Sequence, residues 1–525
     1  MSGPSNRISP VTWAVWLTII ICAALLIVPG ATVSSMYVND LLIFLDGGYR
    51  VVQGQVPNRD FHTALGPLNF YIPGIGYWLT GRLGLSMPVG LVVLALVIAP
   101  VMIHVFRSRL RPLVAVPLAV FLLLLLVTPM NTGETPIKVS FAMFYNRIGW
   151  VLLGILLVMH LRPTNPVAGQ RWWDATAAAM LTLLAVYIKM TYGVVAAAFL
   201  VLMLLQSGQR VWAFGAILLC GAAAVLIEVL WGGSQMHIAD LMEATKVSGV
   251  TEWQIYARSF IRTSGEYAIF LVFVGLAIWV RPRVSDFLFY GFCACAGFAL
   301  INQNFQITGI VTMFVGAAVA AEIIQRRLPP TASPGMTTLL RGAPFAVIVL
   351  LLPIGLSSAA AIGVHATVAA TKGGMHLDTP NGKDLRIVNI LDPGQFRFYR
   401  QYGETLETGA ALLAAIDAPS SRVLVMDFVS PFSSLVGLQP PEGGPAWMHD
   451  NRNFDLDFHL PAEEMLDGVD IVMVPKKPAA EGTTEKMLVI YAPYLKEHFE
   501  LARATKHWSL YKRREAQPEE VPQSS

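Results

Sequence analysis

Charge is what this chain has little of. Only 14% of its 525 residues are Asp, Glu, Lys or Arg, while 55% are hydrophobic; soluble domains carry roughly a quarter charged residues. An ordinary soluble protein is excluded, and the composition reads as a polytopic α-helical membrane protein. Cysteine is scarce as well: Cys22, Cys220, Cys293 and Cys295 all lie in apolar segments. A disulfide framework in the C-terminal part is therefore excluded, and the Cys-x-Cys at 293 and 295 lacks the partners of a metal site. No Gly-rich phosphate loop with Lys and Ser/Thr occurs, which argues against direct use of ATP or a soluble nucleotide sugar. Nothing in the composition points to a nucleic-acid partner. A cleavable signal is also missing, because the apolar run over 11–37 is too long for a signal h-region and reads as a retained transmembrane helix.

Eleven stretches are long and apolar enough to be read as spans: 12–36, 86–106, 113–129, 142–160, 174–190, 191–206, 211–230, 266–280, 284–300, 306–324 and 342–363. Arginine dominates every second connection, at Arg107, Arg109, Arg111, Arg162, Arg171, Arg210, Arg281, Arg283, Arg326, Arg327 and Arg341. The positive-inside rule places those connections and the N-terminus in the cytoplasm. The other face receives the loop after the first span, residues 131–138, residues 231–264 and the tail. Charge supports the division: residues 1–363 carry 21 Lys+Arg against 12 Asp+Glu, and the remainder 16 against 22. The expected layout is a transmembrane core over 1–363 with a first outer loop at 37–85, a linker at 364–384, an extracytoplasmic α/β domain at 385–515 and a disordered tail at 516–525. In that domain, 422–428 and 469–474 read as strands, 486–502 as a helix and 507–511 as a terminal strand.

The first outer loop concentrates the chemistry. Residues 40–73 hold Asp40, Asp46, Asp60, Arg50, Arg59 and His62 between two apolar segments. Carboxylates at a hydrocarbon boundary are costly without a partner or a task. The bland reading of Asp46 is a helical i, i+4 ion pair with Arg50; the functional one is a general base for an acceptor hydroxyl. Arg50, Arg59, Arg147 and Lys189 suit a phosphate leaving group, although a lysine at the end of a span also snorkels. Glu134 is a second outer carboxylate, and Gln303, Asn304 and Gln306 could hydrogen-bond a polyhydroxylated ligand. His237, Asp240 and Glu243 have metal-ligand spacing, with a solvated helix as the default.

These residues resemble the GT-C class of membrane glycosyltransferases, in the bacterial group related to dolichyl-phosphate-mannose protein mannosyltransferases. Asp46 and Tyr49 are similar to the opening of that class's first outer loop, Gly54 and residues 58–61 to its middle, and Gly66-Pro67-Leu68 to its end. The resemblance implies an inverting transfer from a polyprenyl-phosphate sugar to a lipid, glycan or protein acceptor at the outer face of a bacterial inner membrane. It implies Asp46 as base; Asp40, Tyr49, His62 and Glu134 are candidate contacts for the sugar or the acceptor. Gly47 stands where an acidic pair would continue, which leaves the base open to Asp60 or Asp40 and a divalent metal unassigned. A transporter or flippase of lipid-linked saccharide, or a non-enzymatic envelope assembly protein, are the alternatives.

Overall fold

The computed structural model describes residues 9–249, 252–303, 306–328, 334–416 and 421–514. Helix α1 (Pro10–Ile27) starts on Ser9, whose hydroxyl accepts from the Thr12 N–H, with Pro10 at the first helical position. Strand β1 (Thr32–Ser34) follows, then α2 (Val38–Val52) and α3 (Leu68–Thr80). The membrane-type core continues with α4 (Leu83–Arg109), α5 (Pro112–Val127), α6 (Phe144–Val158), α7 (Gln170–Ile188) and α8 (Met190–Leu204). Next come α9 (Arg210–Trp231), α10 (Ser234–Ser248), α11 (Trp253–Val280), α12 (Val284–Asn302), α13 (Val311–Arg327), α14 (Pro334–Arg341) and α15 (Ala343–Ala370).

Each of the eleven expected spans falls on one of these helices. By length and composition, however, only six segments qualify as spans among the described residues: α1, α4, α9, α11, α12 and the stretch Pro334–Ala370. Helices α5, α6 and α8 are apolar but shorter. Helices α7 and α13 are diluted by charge, α7 opening on Gln170, Arg171 and Asp174 and α13 closing on Glu322, Arg326 and Arg327.

Arginine gathers at one end of the bundle. There Arg109 pairs with Asp174 at 2.6 Å, Arg326 pairs with Glu322 at 2.9 Å, and Arg326 also donates to the Arg162 carbonyl. The acidic loops and the C-terminal domain occupy the opposite end. Two partitions made from sequence, by charge and by loop, therefore coincide in space.

The linker is a built element. Helix α15 runs on to Ala370, and β2 (Met375–His376) and β3 (Leu385–Ile387) form a sheet in the order β1-β3-β2. Thr32 to Ser34 pair in parallel with Leu385 to Ile387, which ties the chain after the last helix to the chain after the first. Beyond it lie α16 (Pro393–Ala415), β4 (Val423–Val425), a π-turn at Ser433–Gly437, α17 (Ala462–Met465), β5 (Ile471–Pro475), α18 (Glu481–His498), β6 (Phe499–Ala504) and β7 (Trp508–Arg513). The sheet order is β4-β5-β7-β6, with β4 and β5 parallel and the rest antiparallel. Strand β6 was expected as the end of a helix. Its sequence, FELARA, has helical propensity, but pairing with β7 overrides it at this sheet edge.

The domain is stitched to the first outer loop by backbone hydrogen bonds. The His62 N–H donates to the Gly444 carbonyl at 2.9 Å, the Ala446 N–H to His62 at 2.9 Å, and the Gly443 N–H to Asp60 at 2.8 Å. Arg82 adds an ion pair to Asp384 at 2.8 Å. Under this seam α2 crosses α3 closely, because a Cβ on Gly47 would come to 2.1 Å from the Phe70 ring. Packing thus explains the glycine at the position where a second acid would stand.

Candidate functional site

The helix carrying the loop's acids has two polar ends with different fates. Toward its C-terminus, Asp46 and Arg50 form the expected i, i+4 pair, Oδ2 to Nε at 3.0 Å, with side chains 4% and 3% exposed. The other Asp46 oxygen accepts from the Ser434 N–H at 3.2 Å, at the π-turn of the C-terminal domain. Arg50 donates on to the Pro441 carbonyl at 3.3 Å and lies over the Phe61 ring. Gln55 reaches the Pro440 and Pro441 carbonyls beside it. Burial raises the Asp46 carboxyl, against the opposing pull of Arg50 and Ser434. Both oxygens are engaged. The geometry is that of a clamp between loop and domain, in which Asp46, the expected base, holds Arg50 and the Ser434 N–H. Arg50, expected at a phosphate, is spent in the same clamp.

At the opposite end of α2, Asp40 sits in the first turn, half-buried. No ion pair engages it among the described residues. Burial pushes its carboxyl up to about 7. One turn on, Phe44 packs edge-on against Phe144 and lies 5.9 Å from the Tyr145 ring. Residues four apart share a helix face, so Asp40 faces the start of α6, within electrostatic reach of Tyr145. The domain closes over the same place: Tyr399 and Tyr402 of α16 also feel the Asp40 charge, and Arg452 acts on Tyr145.

Cations converge on that tyrosine. The Lys189 ammonium lies 5.1 Å from the Tyr145 ring centroid and donates to the Asn146 side-chain oxygen at 3.3 Å. Lys189 is placed by a one-residue break, since it is extended (φ −163°, ψ 122°) between α7 and α8. The break frees the Ile188 carbonyl, and Asn69 takes it up with a 2.7 Å hydrogen bond. Gly66 permits this approach, because a Cβ there would lie 2.1 Å from the Tyr187 carbonyl oxygen. Asn69→Ala should therefore cost about 1–3 kcal/mol, the scale of an orphaned buried carbonyl. A lowered melting temperature in detergent, with Gln at 69 less damaging than Ala, is the expected outcome.

Arg147, one turn into α6, is 1% exposed. It donates to Ala142, while its Nε and one Nη find no partner among the described residues. Glu134 lies within its field and accepts from the Tyr37 hydroxyl at 2.9 Å. Tyr37 (φ 55°) and Met143 (φ 53°) both take left-handed backbone at the starts of α2 and α6. Such non-glycine conformations carry strain and cluster at functional sites.

Other expected residues lie apart from this cluster. Asp60 pairs with its neighbour Arg59 at 3.0 Å and accepts from the Val56 N–H at 2.7 Å, fixing a turn near solvent. Tyr49 is buried against the Tyr77 ring. Gln306, a candidate ligand contact, accepts from Trp150 and donates to the Thr308 and Gly309 carbonyls. Gln303 is exposed at the end of α12, and Asn304 lies outside the described residues. His62 bridges Asp240 and Glu464, both at 2.8 Å, beside a cavity of about 300 Å³. His237 packs on Trp231 instead of joining Asp240. Among the described residues no group of three His, Cys, Asp or Glu could hold a metal ion. Tyr399, Tyr402 and Arg452 were missed by sequence reasoning, since nothing local in the sequence distinguishes them from other residues of an α/β domain.

No family model matches the chain, and no curated protein matches it. Among solved structures it is similar to ArnT from Cupriavidus metallidurans in the apo state, at 13% identity over 96% of this chain and 98% of that one, with a TM-score of 0.46. The same protein bound to undecaprenyl phosphate gives 13% identity, 95% and 98% coverage and a TM-score of 0.47. A likeness at that identity and score extends to neither substrate nor mechanism.

Proposed function

We propose that the chain is an inverting glycosyltransferase that moves a sugar from a polyprenyl-phosphate donor to a lipid, glycan or protein acceptor, at the membrane face bearing the C-terminal domain. The observation that carries this is the pairing of Asp40, a carboxylate poised near 7 and free of ion pairs among the described residues, with Lys189 and the partly unsatisfied Arg147 around Tyr145. A general base works best with a pKa near the operating pH. Asp40 takes the proton from the acceptor hydroxyl as its oxygen bonds to the anomeric carbon. The bond from that carbon to the phosphate oxygen breaks, and its electron pair leaves on the polyprenyl phosphate. Lys189 and Arg147 offset the charge left there. Asp46 and Arg50 instead hold the domain over the site. The arginine-rich end then faces the cytoplasm of a bacterial inner membrane, with the domain outside.

Transport fits less well. The described cavities at the arginine-rich end and at the domain end share no lining residue, so they do not join in this structure. The test is incubation of purified protein in detergent with a panel of labelled polyprenyl-phosphate sugars and a membrane-extract acceptor fraction. Release of polyprenyl phosphate with gain of label in the acceptor supports the reading. Movement of intact donor across vesicles without such release replaces it with transport.

A further inference from the structure

The largest described cavity, about 860 Å³, lies at the arginine-rich end, away from the Asp40 cluster. Five arginines line it: Arg162, Arg281, Arg283, Arg326 and Arg327. Two of them are occupied. Arg326 pairs with Glu322 at 2.9 Å, and Arg327 pairs with Asp286, whose other oxygen faces His160 at 3.3 Å. The remaining three, Arg162, Arg281 and Arg283, make no ion pair among the described residues. The single carboxylate in the wall is paired with Arg327, and three exposed guanidinium groups without an ion pair of their own border one hollow.

Helix α12 opens into the same wall through Val284 and Ser285. Their N–H groups make no backbone hydrogen bond among the described residues, so the positive end of a long helix dipole adds to the arginines. The Arg327 charge beside Arg283 holds that guanidinium below the usual arginine range. Two leucines of its lining are exposed, Leu205 at 65% and Leu288 at 44%. A cationic hollow open beside exposed leucines suits a ligand with an anionic head and an apolar tail.

We infer that this cavity is a binding site for a phosphate-bearing anion, held by Arg162, Arg281 and Arg283 at the end of the bundle opposite the proposed active site. A membrane phospholipid headgroup and a free phosphate compound share that chemistry. Guanidinium binds phosphate oxygens through paired, charge-assisted hydrogen bonds, and each such cation near an anionic headgroup contributes appreciably.

The full chain, purified in a neutral detergent, is titrated with phosphatidylglycerol and with phosphatidylcholine, then with phosphatidylglycerol in the presence of inorganic phosphate, and the bound population is read by native mass spectrometry. Phosphatidylglycerol should bind roughly tenfold or more tightly than phosphatidylcholine, and the double variant Arg281→Gln/Arg283→Gln should erase the preference. The double variant Arg281→Lys/Arg283→Lys should keep part of it and reports that the fold survives. Inorganic phosphate that competes with phosphatidylglycerol at equal concentration supports the anion site and assigns it to a soluble phosphate compound; failure to compete assigns it to lipid. Equal binding of the two lipids, or an undiminished preference in the Gln variant, overturns the inference and leaves these arginines as topology determinants only.

Discussion

Asp40→Asn should lower the proposed transfer by at least ~10²-fold, the lower end of what a positioned general base contributes, and leave the melting temperature close to that of the parent. Its carboxylate has no ion pair among the described residues to lose, so removing the charge costs chemistry and little structure. The pH dependence sharpens the expectation. Burial raises this carboxyl to about 7, and a base acts only when deprotonated. The rate at limiting substrate should therefore fall as pH drops through about 7, one decade per pH unit below it, and level off above. A limb centred near 4 would assign the titration to an ordinary carboxylate and remove Asp40 from the role. Asn at position 40 should flatten the limb along with the rate.

Asp46→Asn should do the reverse and damage the structure first. It strips the partner from a guanidinium that is 3% exposed and held between loop and domain. Breaking a buried pair from one side costs about 3–5 kcal/mol, because the remaining charge stays buried. That is a large share of the ~5–15 kcal/mol that holds a typical domain folded. A lowered melting temperature and faster proteolytic release of the C-terminal domain are the expected readouts. Removing both charges, as in Asp46→Leu/Arg50→Met, should restore most of the stability, since apolar replacements of a buried pair are often neutral. It should restore transfer as well. A double variant that is stable yet inactive would return the catalytic role to Asp46.

The same two acids show where sequence stops being readable. The helix over the loop and its i, i+4 pair were legible, because spacing and local charge define both. The choice between Asp46 and Asp40 was not. It turns on contacts from hundreds of residues away, the Ser434 N–H on Asp46 and the Pro441 carbonyl on Arg50, both made where the domain docks. The parallel pairing of Thr32–Ser34 with Leu385–Ile387 is equally non-local, so the segment joining core and domain looked like a linker. Lys189 read as the flank of a span; its setting comes from a one-residue helix break sustained by Asn69 and Gly66 from another segment. The apolar segments were located from composition, whereas α7, which opens on Gln170, Arg171 and Asp174, and the 17-residue α13 do not meet the measure of a span. Hydropathy reports burial from water, and a helix inside the bundle meets that need without facing lipid.

The most direct test is a structure of the chain with a non-hydrolysable polyprenyl-phosphate sugar bound. The account predicts the phosphate against Lys189 and Arg147, and Asp40 positioned so that an acceptor hydroxyl about 3 Å from its carboxylate also faces the anomeric carbon. The Asp46–Arg50 pair should be unchanged from its 3.0 Å contact. A phosphate bound at Arg50 with Asp46 turned toward the sugar, or a sugar phosphate seated only in the arginine-lined cavity at the other end, would contradict it.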